Sequence, residues 1–360
     1  MADVGTSFNQ IIGNYIGTDV NGTTAIPNKH GIGFASNPSS NLVEKNLISG
    51  NLEIGIIIYE SSDSNQVFSN MIGVAADSIT PLPNRRAGVV ITLNATHNQI
   101  GMPDKGNIIA YNDTAGVVVA GNGTLFNTIS ANRIFANGIM DIDLEPFGVN
   151  ANDGGDADGG PNEGMNYPVI MSATNDTANN GIFITGVIDC NSYGGPAGIR
   201  IELFKSDAAN MFNHGGAITY LGHTFSGSSG EWTFMGTGAN AGDEITATAT
   251  DIMGNTSEFA ANFGMVISVE EKFLNDVFKV YPNPASDQIK MEFSIDQEKQ
   301  ICIQIFSLDG KLITQLENKT FSSGDHVLLY NLSQLAVGFY MITLSDQEGL
   351  IARKKIVMMR

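Results

Sequence analysis

Residues 40–73, SNLVEKNLISGNLEIGIIIYESSDSNQVFSNMIG, decide the fold, because their pieces recur on both sides with little change of spacing. One phrase appears twice within them: Asn41-Leu42-Val43 with Asn46-Leu47-Ile48, then Asn65-Gln66-Val67 with Asn70-Met71-Ile72. It returns as Asn9-Gln10-Ile11 with Asn14-Tyr15-Ile16, as Asn98-Gln99-Ile100 with Asn107-Ile108-Ile109, and as Asn127-Thr128-Ile129 with Asn132-Arg133-Ile134. A glycine followed by an aliphatic run lies between the phrases: Gly31-Ile32, Gly55-Ile56-Ile57-Ile58, Gly88-Val89-Val90-Ile91, Gly116-Val117-Val118-Val119 and Gly138-Ile139-Met140. The segment Ile16-Gly17 through Pro27-Asn28 reappears as Ile72-Gly73 through Pro83-Asn84, displaced by 56 positions, so a long and a short coil alternate.

Short β-rich units of this period cannot bury a face alone and must stack into a solenoid. Runs of β-branched residues bounded by Gly and Asn suit parallel strands covered on both faces, and no helical periodicity of comparable length intervenes. The expected fold is all-β: a right-handed parallel β-helix followed by two β-sandwich, Ig-like domains. Along each strand the residue after glycine and the one two further on share a face. Ile32 and Phe34, Ile56 and Ile58, Val89 and Ile91, Val117 and Val119 therefore form the interior, with Gly33, Ile57, Val90, Val118 and Met140 on the opposite face. Asn14, Asn46, Asn70, Asn107 and Asn132 fall at one sharp turn per coil. Asn tolerates the left-handed conformation and its amide can bond backbone or the next Asn, so these five are read as a structural ladder, with sugar binding as the competing role.

The chain has 360 residues, enough for several domains, and 18 basic against 37 acidic side chains. Residues 149–264 alone hold two basic and thirteen acidic groups. Phosphate and anionic-lipid binding need a basic face, so nucleic acid and direct membrane docking are disfavoured as partners. Cys190 and Cys302 fall in different expected domains and match no zinc spacing. No segment could span a bilayer, and the first residues lack the basic start and apolar run of a signal peptide. The chain enters its repeat almost at once. The expectation is that upstream coils and a signal peptide precede Met1.

Polysaccharide-cleaving β-helix enzymes work from clustered carboxylates or cations on an external sheet. Here Glu60 stacks with Ser36, Leu93 and Gly121, while Asp63 and Asp77 fall in corners or insertions. His30 and His97 read as corner residues. A lyase or glycoside hydrolase is thus the alternative reading and no catalytic residue is nominated.

Beyond Asp141-Ile142-Asp143-Leu144, the expected last solenoid strand, residues 149–165 form a connector dense in Gly and carboxylates. Asp153, Asp156, Asp158 and Asn162 have the oxygen chemistry to wrap Ca²⁺, although the regular spacing of a helix-loop-helix calcium site is missing. A solvated hinge is the preferred reading of the same loop. Residues 166–264 alternate as an antiparallel sandwich with Trp232 in its core. Asp251 and Gly254-Asn255-Thr256-Ser257-Glu258-Phe259 resemble the closing segment of bacterial extracellular Ig-like modules. Residues 1–264 together resemble bacterial β-helix repeat surface proteins carrying such a module, with 1–148 as the repeat.

After a polar linker at 265–276 the basic residues return. Tyr281-Pro282-Asn283-Pro284, then Asp309-Gly310, then Gly338-Phe339-Tyr340, then Lys354-Lys355, make 277–360 resemble the C-terminal sorting domain of the Bacteroidetes type IX secretion system. From the residues alone the segment is seven short strands with tight turns. The resemblance implies the type IX translocon as partner and a secreted or outer-membrane surface location; the lack of a catalytic column on the solenoid makes the first reading a non-enzymatic scaffold offering an interaction face to glycan or protein.

Overall fold

The computed structural model describes residues 1–176, 181–190, 195, 197–207, 212–267, 278–307, 311–346 and 350–359. The chain forms two compact units, Met1–Ile267 and Ser268–Arg360. The linker expected at 265–276 lies largely outside the described residues.

The first unit begins with five stacked coils whose strands form three parallel sheets. One contains Gln10–Ile12, Leu42–Glu44, Gln66–Phe68, Gln99–Ile100 and Thr128–Ile129. The second contains Tyr15–Ile16, Leu47–Ile48, Met71–Ile72, Ile108–Ala110 and Arg133–Phe135; the third, Ile32–Phe34, Ile56–Ile58, Val89–Thr92, Ala115–Ala120 and Met140–Leu144. Every glycine-led run pairs in parallel with the next, as in Ile56↔Val89 and Val89↔Val117. The interior column Ile32, Ile56, Val89, Val117, Ile142 and its companion Phe34, Ile58, Ile91, Val119, Leu144 are buried in one cluster. Each such side chain removed from water contributes about 1.5–3 kcal/mol.

The glycines heading these runs also stack, for a steric reason. A Cβ on Gly55 would lie 2.6 Å from the carbonyl oxygen of Gly88, so the next coil's backbone occupies the space a side chain would need. The last member of the repeat differs from the expected register. Val117 pairs with Ile142 and Val118 with Asp143, while Met140 pairs with Ala115. Asp143, not Met140, therefore follows Val118 on the outer face, and Gly138 stacks on Asp113 rather than on Gly116.

Three asparagine columns run the length of the stack. Asn14, Asn46, Asn70, Asn107 and Asn132 are joined amide to amide at 2.8–3.1 Å. Asn9, Asn41, Asn65, Asn98 and Asn127 form a second column at 3.0–3.1 Å. Asn28, Asn51, Asn84, Asn112 and Asn137 form a third at 2.8–3.2 Å. The left-handed corner is taken by the residue before each of many of these Asn: Ser40, Lys45, Ser64, Ser69, His97, Phe126 and Ala131 all have φ between 53° and 56° or at 60°. None of the fifteen ladder asparagines has a positive φ. The amide instead reaches round the corner to the carbonyl two residues back, as Asn41 does to Ser39 and Asn46 to Glu44. This local bond offsets the roughly 1–2 kcal/mol that a left-handed non-glycine residue costs.

The second solenoid sheet does not stop at the last coil. Arg133–Phe135 pairs antiparallel with Ala217–Phe225 through Ile134↔Ala217, and the sheet continues through Arg200–Ser206, Glu244–Thr250 and Phe263–Gly264. A four-stranded sheet of Glu231–Gly236, Gly181–Val187, Val169–Asp176 and Val266–Ile267 faces it. Ile184, Ile201, Leu203, Trp232 and Ala247 from both sheets share one buried core.

In the second unit a three-stranded sheet, Lys279–Tyr281, Gln288–Ile295 and Gly324–Asn331, and a four-stranded sheet, Leu312–Phe321, Lys299–Ser307, Gly338–Ser345 and Leu350–Met358, enclose a second core that includes Met291, Ile303, Ile305, Ile342 and Ile356. No helix among the described residues is long and apolar enough to cross a membrane.

Candidate functional site

The solenoid carboxylates singled out from the sequence, Glu60, Asp63 and Asp77, are engaged locally. Glu60 accepts from the Ser36 hydroxyl at 3.0 Å, across one coil. Asp63 faces His97 Nδ1 at 3.3 Å and the Thr96 hydroxyl at 3.3 Å. Asp77 caps its own turn, accepting from the Thr80 hydroxyl at 2.6 Å and from the backbone N–H groups of Thr80 and Ile79 at 2.8 and 2.9 Å, which together hold its carboxyl below the usual range. His30 Nε2 lies 3.5 Å from Glu53. These contacts join neighbouring coils or close a turn, and they leave the enzyme reading without support.

The acidic connector is folded against Asn166 and Tyr167 and is not a solvated hinge. Asn152 and Tyr167 exchange bonds at 2.8 and 3.0 Å, and Asp153 and Asn166 do so at 3.1 and 3.0 Å. Asp153, Asp156 and Asp158 converge, each offering a carboxylate oxygen within 4.8 Å of the others. Asp156 also accepts from the Asn166 N–H at 2.7 Å and from the Cys190 thiol at 3.1 Å. Burial, then the charges of Asp153 and Asp156, push the Asp158 carboxyl up. Asn162, nominated with them as an oxygen ligand, is directed elsewhere. It is held left-handed in the short 3₁₀ turn Pro161–Gly164, and its amide accepts from the Asn127 N–H at 3.0 Å and donates to Asn127 O at 2.8 Å and Thr256 O at 3.1 Å. It is the next rung of the Asn9 column.

Asn162 is one part of a polar seal over the last coil, whose backbone N–H groups have no further coil to receive them. Unpaired, each such buried donor would cost about 1–3 kcal/mol. Phe126 N–H donates to Asn255 Oδ1 at 2.7 Å and Ile129 N–H to Thr256 Oγ1 at 3.0 Å. Ala131 N–H donates to Glu202 Oε2 at 3.0 Å, while Ser130 Oγ and Arg200 Nη2 meet Glu202 Oε1 at 2.9 and 3.1 Å. Leu144 N–H donates to Glu258 Oε1 at 3.0 Å and Asn150 N–H to Glu258 Oε2 at 2.9 Å. The hairpin carrying Asn255, Thr256 and Glu258 is shaped by Asp251, which accepts from the N–H groups of Met253, Gly254 and Asn255 at 2.8–2.9 Å. Burial lifts Glu258 to about 8 against the opposing pull of its two backbone donors. Glu202, fully buried, is likewise raised by burial, with Arg200 beside it opposing. The Asp251–Phe259 segment is legible in the sequence as a closing segment; that its side chains reach across to seal the solenoid is not, because the partners are more than 100 residues away.

In the second unit the first and last motifs meet. Asn283 donates from Nδ2 to Lys355 O and accepts from Val357 N–H, both at 2.8 Å. Ala285 N–H donates to Val357 O at 2.8 Å, so the Pro282 to Pro284 turn is fastened to the final strand. Tyr281 donates from its hydroxyl to Glu292, and the Lys290 ammonium stands 5.2 Å from the Tyr281 ring centre. Gly338 opens its strand, Tyr340 donates to Ala336 O at 3.1 Å, and Lys355 lies over the Phe339 ring at 4.4 Å. Lys354 sits beside Lys355 on the same strand; Asp309 and Gly310 lie outside the described residues.

The chain is thus an all-β solenoid protein with a compact C-terminal tail that has seven strands among its described residues. That tail, residues 279–359, matches the family model described as "Secretion system C-terminal sorting domain". A tail of this family implies export, to the cell surface or beyond it. Similar solved structures include dimeric latent PorU from Porphyromonas gingivalis, at 15% identity and TM-score 0.20, covering 54% of this chain and 20% of that one. A tetra-tandem repeat from the extending region of a large adhesion protein gives 14% and 0.20, covering 54% and 49%. Red sea bream transglutaminase gives 10% and 0.18, covering 50% and 29%. The chain spans between a fifth and a half of the length of these structures.

Proposed function

We propose that this is a non-enzymatic protein of Bacteroidetes type, carried through the type IX translocon by residues 277–360 and displayed or released as an interaction scaffold. The observation that carries the reading is the family match over the tail, with its first and last motifs fastened together. Residues 166–264 act in it as an Ig-like module closing a right-handed β-helix of residues 1–148, the connector at 149–165 supplying one rung of the seal. The rigid stacked coils offer a long, sparsely charged face suited to glycan or protein. The test is expression of the chain behind a signal peptide in a type IX-competent host, with and without residues 279–359. The complete chain should be labelled by antibody on intact cells or in the medium, and the shortened one should stay in the periplasm. Equal export of both would refute the assignment, and a glycan array would then name or dismiss the ligand class.

A further inference from the structure

The second unit has four sheet edges among the described residues, and three carry a feature that discourages pairing with another chain. Lys279–Tyr281 is three residues long and runs into Pro282, which has no N–H to offer. Leu312–Phe321 carries Glu317 and Lys319 and is paired to its neighbour through two irregularities of register. Leu350–Met358 carries Arg353, Lys354 and Lys355, so that pairing with itself would set like charges together. The fourth edge, Gly324–Asn331, is eight residues long, pairs on one side with Gln288–Ile295, has no proline, lysine or bulge, and carries a single acidic residue, Asp325, next to its first residue. Val327 and Leu329 stand out from it, 57% and 73% exposed. A long unpaired edge that exposes apolar side chains is a template for another strand.

We infer that the Gly324–Asn331 edge is a pairing site for a second copy of this chain, joined antiparallel about Leu328 into one continuous six-stranded sheet. The edge is self-complementary in that register. Val327 falls opposite Leu329 of the second copy, His326 opposite Tyr330, and Asp325 opposite Asn331, so apolar side chains meet apolar ones and no like charges are opposed. A two-fold axis through Leu328 makes the contact isologous and closed, which ends assembly at the dimer.

Sedimentation velocity of the full chain over a rising concentration series should show a shift from monomer toward twice its mass. Val327→Lys and Leu329→Lys should each abolish that shift while leaving the thermal unfolding transition and far-UV circular dichroism of the monomer in place. Register is tested by cross-linking on a Cys302→Ser background. A mixture of Val327→Cys and Leu329→Cys chains should form an interchain disulfide faster than either alone, because directly opposed residues lie about 4.5–5.5 Å apart between Cα atoms, within disulfide reach. A chain that stays monomeric throughout overturns the proposal. So does a dimer indifferent to both lysines, which places the interface elsewhere, or equal cross-linking by the single variants. Protection of the Gly324–Asn331 amides in cells but not in the purified chain would assign the edge to a strand of another protein and equally overturn pairing between copies.

Discussion

Replacing Asn70 with alanine removes a side chain that is almost wholly buried in the middle of its column. It donates to Val43 O at 2.9 Å and to Asn107 Oδ1 at 3.0 Å, and accepts from both the N–H and the side-chain amide of Asn46 at 3.0 Å. Some of these groups keep other partners. Asn107 Oδ1 retains the Asn70 N–H at 2.9 Å, and the Asn46 amide still reaches Ile11 O and Glu44 O. The Val43 carbonyl keeps its place in the parallel ladder with Gln66–Phe68, and the Asn46 N–H is the group left without a partner. At about 1–3 kcal/mol for a buried group left unpaired, with the lost amide bonds adding to it, Asn70→Ala should cost about 2–3 kcal/mol. Asn14 provides the control. It is exposed and donates only to Ile12 O and Asn46 Oδ1, the latter keeping the Asn14 N–H, so Asn14→Ala should cost about 1 kcal/mol or less. Urea unfolding followed by far-UV circular dichroism and by Trp232, the single tryptophan, measures both. Equal losses for the two variants would refute a ladder that acts through its buried amides.

Glu258→Gln should alter the pH dependence of the first unit. The folded carboxyl is raised to about 8 from a reference of 4.5, so its contribution is full below the reference value and is lost as pH rises through about 8. Thermal unfolding should show the wild type losing ground to the variant between pH 5 and 8, by at most about 1.4 kcal/mol per pH unit; a constant difference would contradict the buried placement. Gly73→Ala would set a Cβ 2.1 Å from Ala110 O at a φ of +87°, whereas Gly13, at +71°, has nothing within 4 Å. Urea midpoints should show a loss of about 3 kcal/mol or more at Gly73 and about 1 kcal/mol at Gly13. Asp158→Asn should raise the unfolding temperature at neutral pH, because burial and the charges of Asp153 and Asp156 disfavour its ionised form. That gain should fade as pH falls through the carboxylate range, and calorimetry at both pH values reads it directly.

Whatever repeats can be read from residues alone. The Asn phrases and glycine-led runs recur at nearly fixed spacing, so the parallel register of Ile56, Val89 and Val117 emerges from matching them. One further Asn column is present in the same phrases, as Asn41, Asn65 and Asn98, but escapes a reading that assigns only the second Asn of each phrase to a corner; the other, through Asn51, Asn84 and Asn112, lies outside the phrases altogether. Intrinsic tolerance points to Asn itself as the left-handed residue. The structure places that conformation one residue earlier, and the Asn amide spans the corner to bond the carbonyl two residues back. The expected position of Met140 fails because Gly138 imitates the leading glycine of the repeat, yet stacks three residues earlier, over Asp113. The seal is out of reach for a different reason. Glu202, Asn255 and Glu258 are ordinary polar residues in their own strands and turns, and it is the junction Ile134↔Ala217, with Phe204 and Phe259 packed into the solenoid core, that brings them over the last coil.

The most direct test of the account is to attach residues 268–360, the second compact unit, to a reporter that carries a signal peptide but no export signal of its own, in a type IX-competent host. The account predicts reporter on the outside of intact cells or in the medium, and its loss when Asn283, which fastens the Pro282 to Pro284 turn to the final strand, is replaced by leucine. A reporter that remains in the periplasm with the intact tail would contradict it.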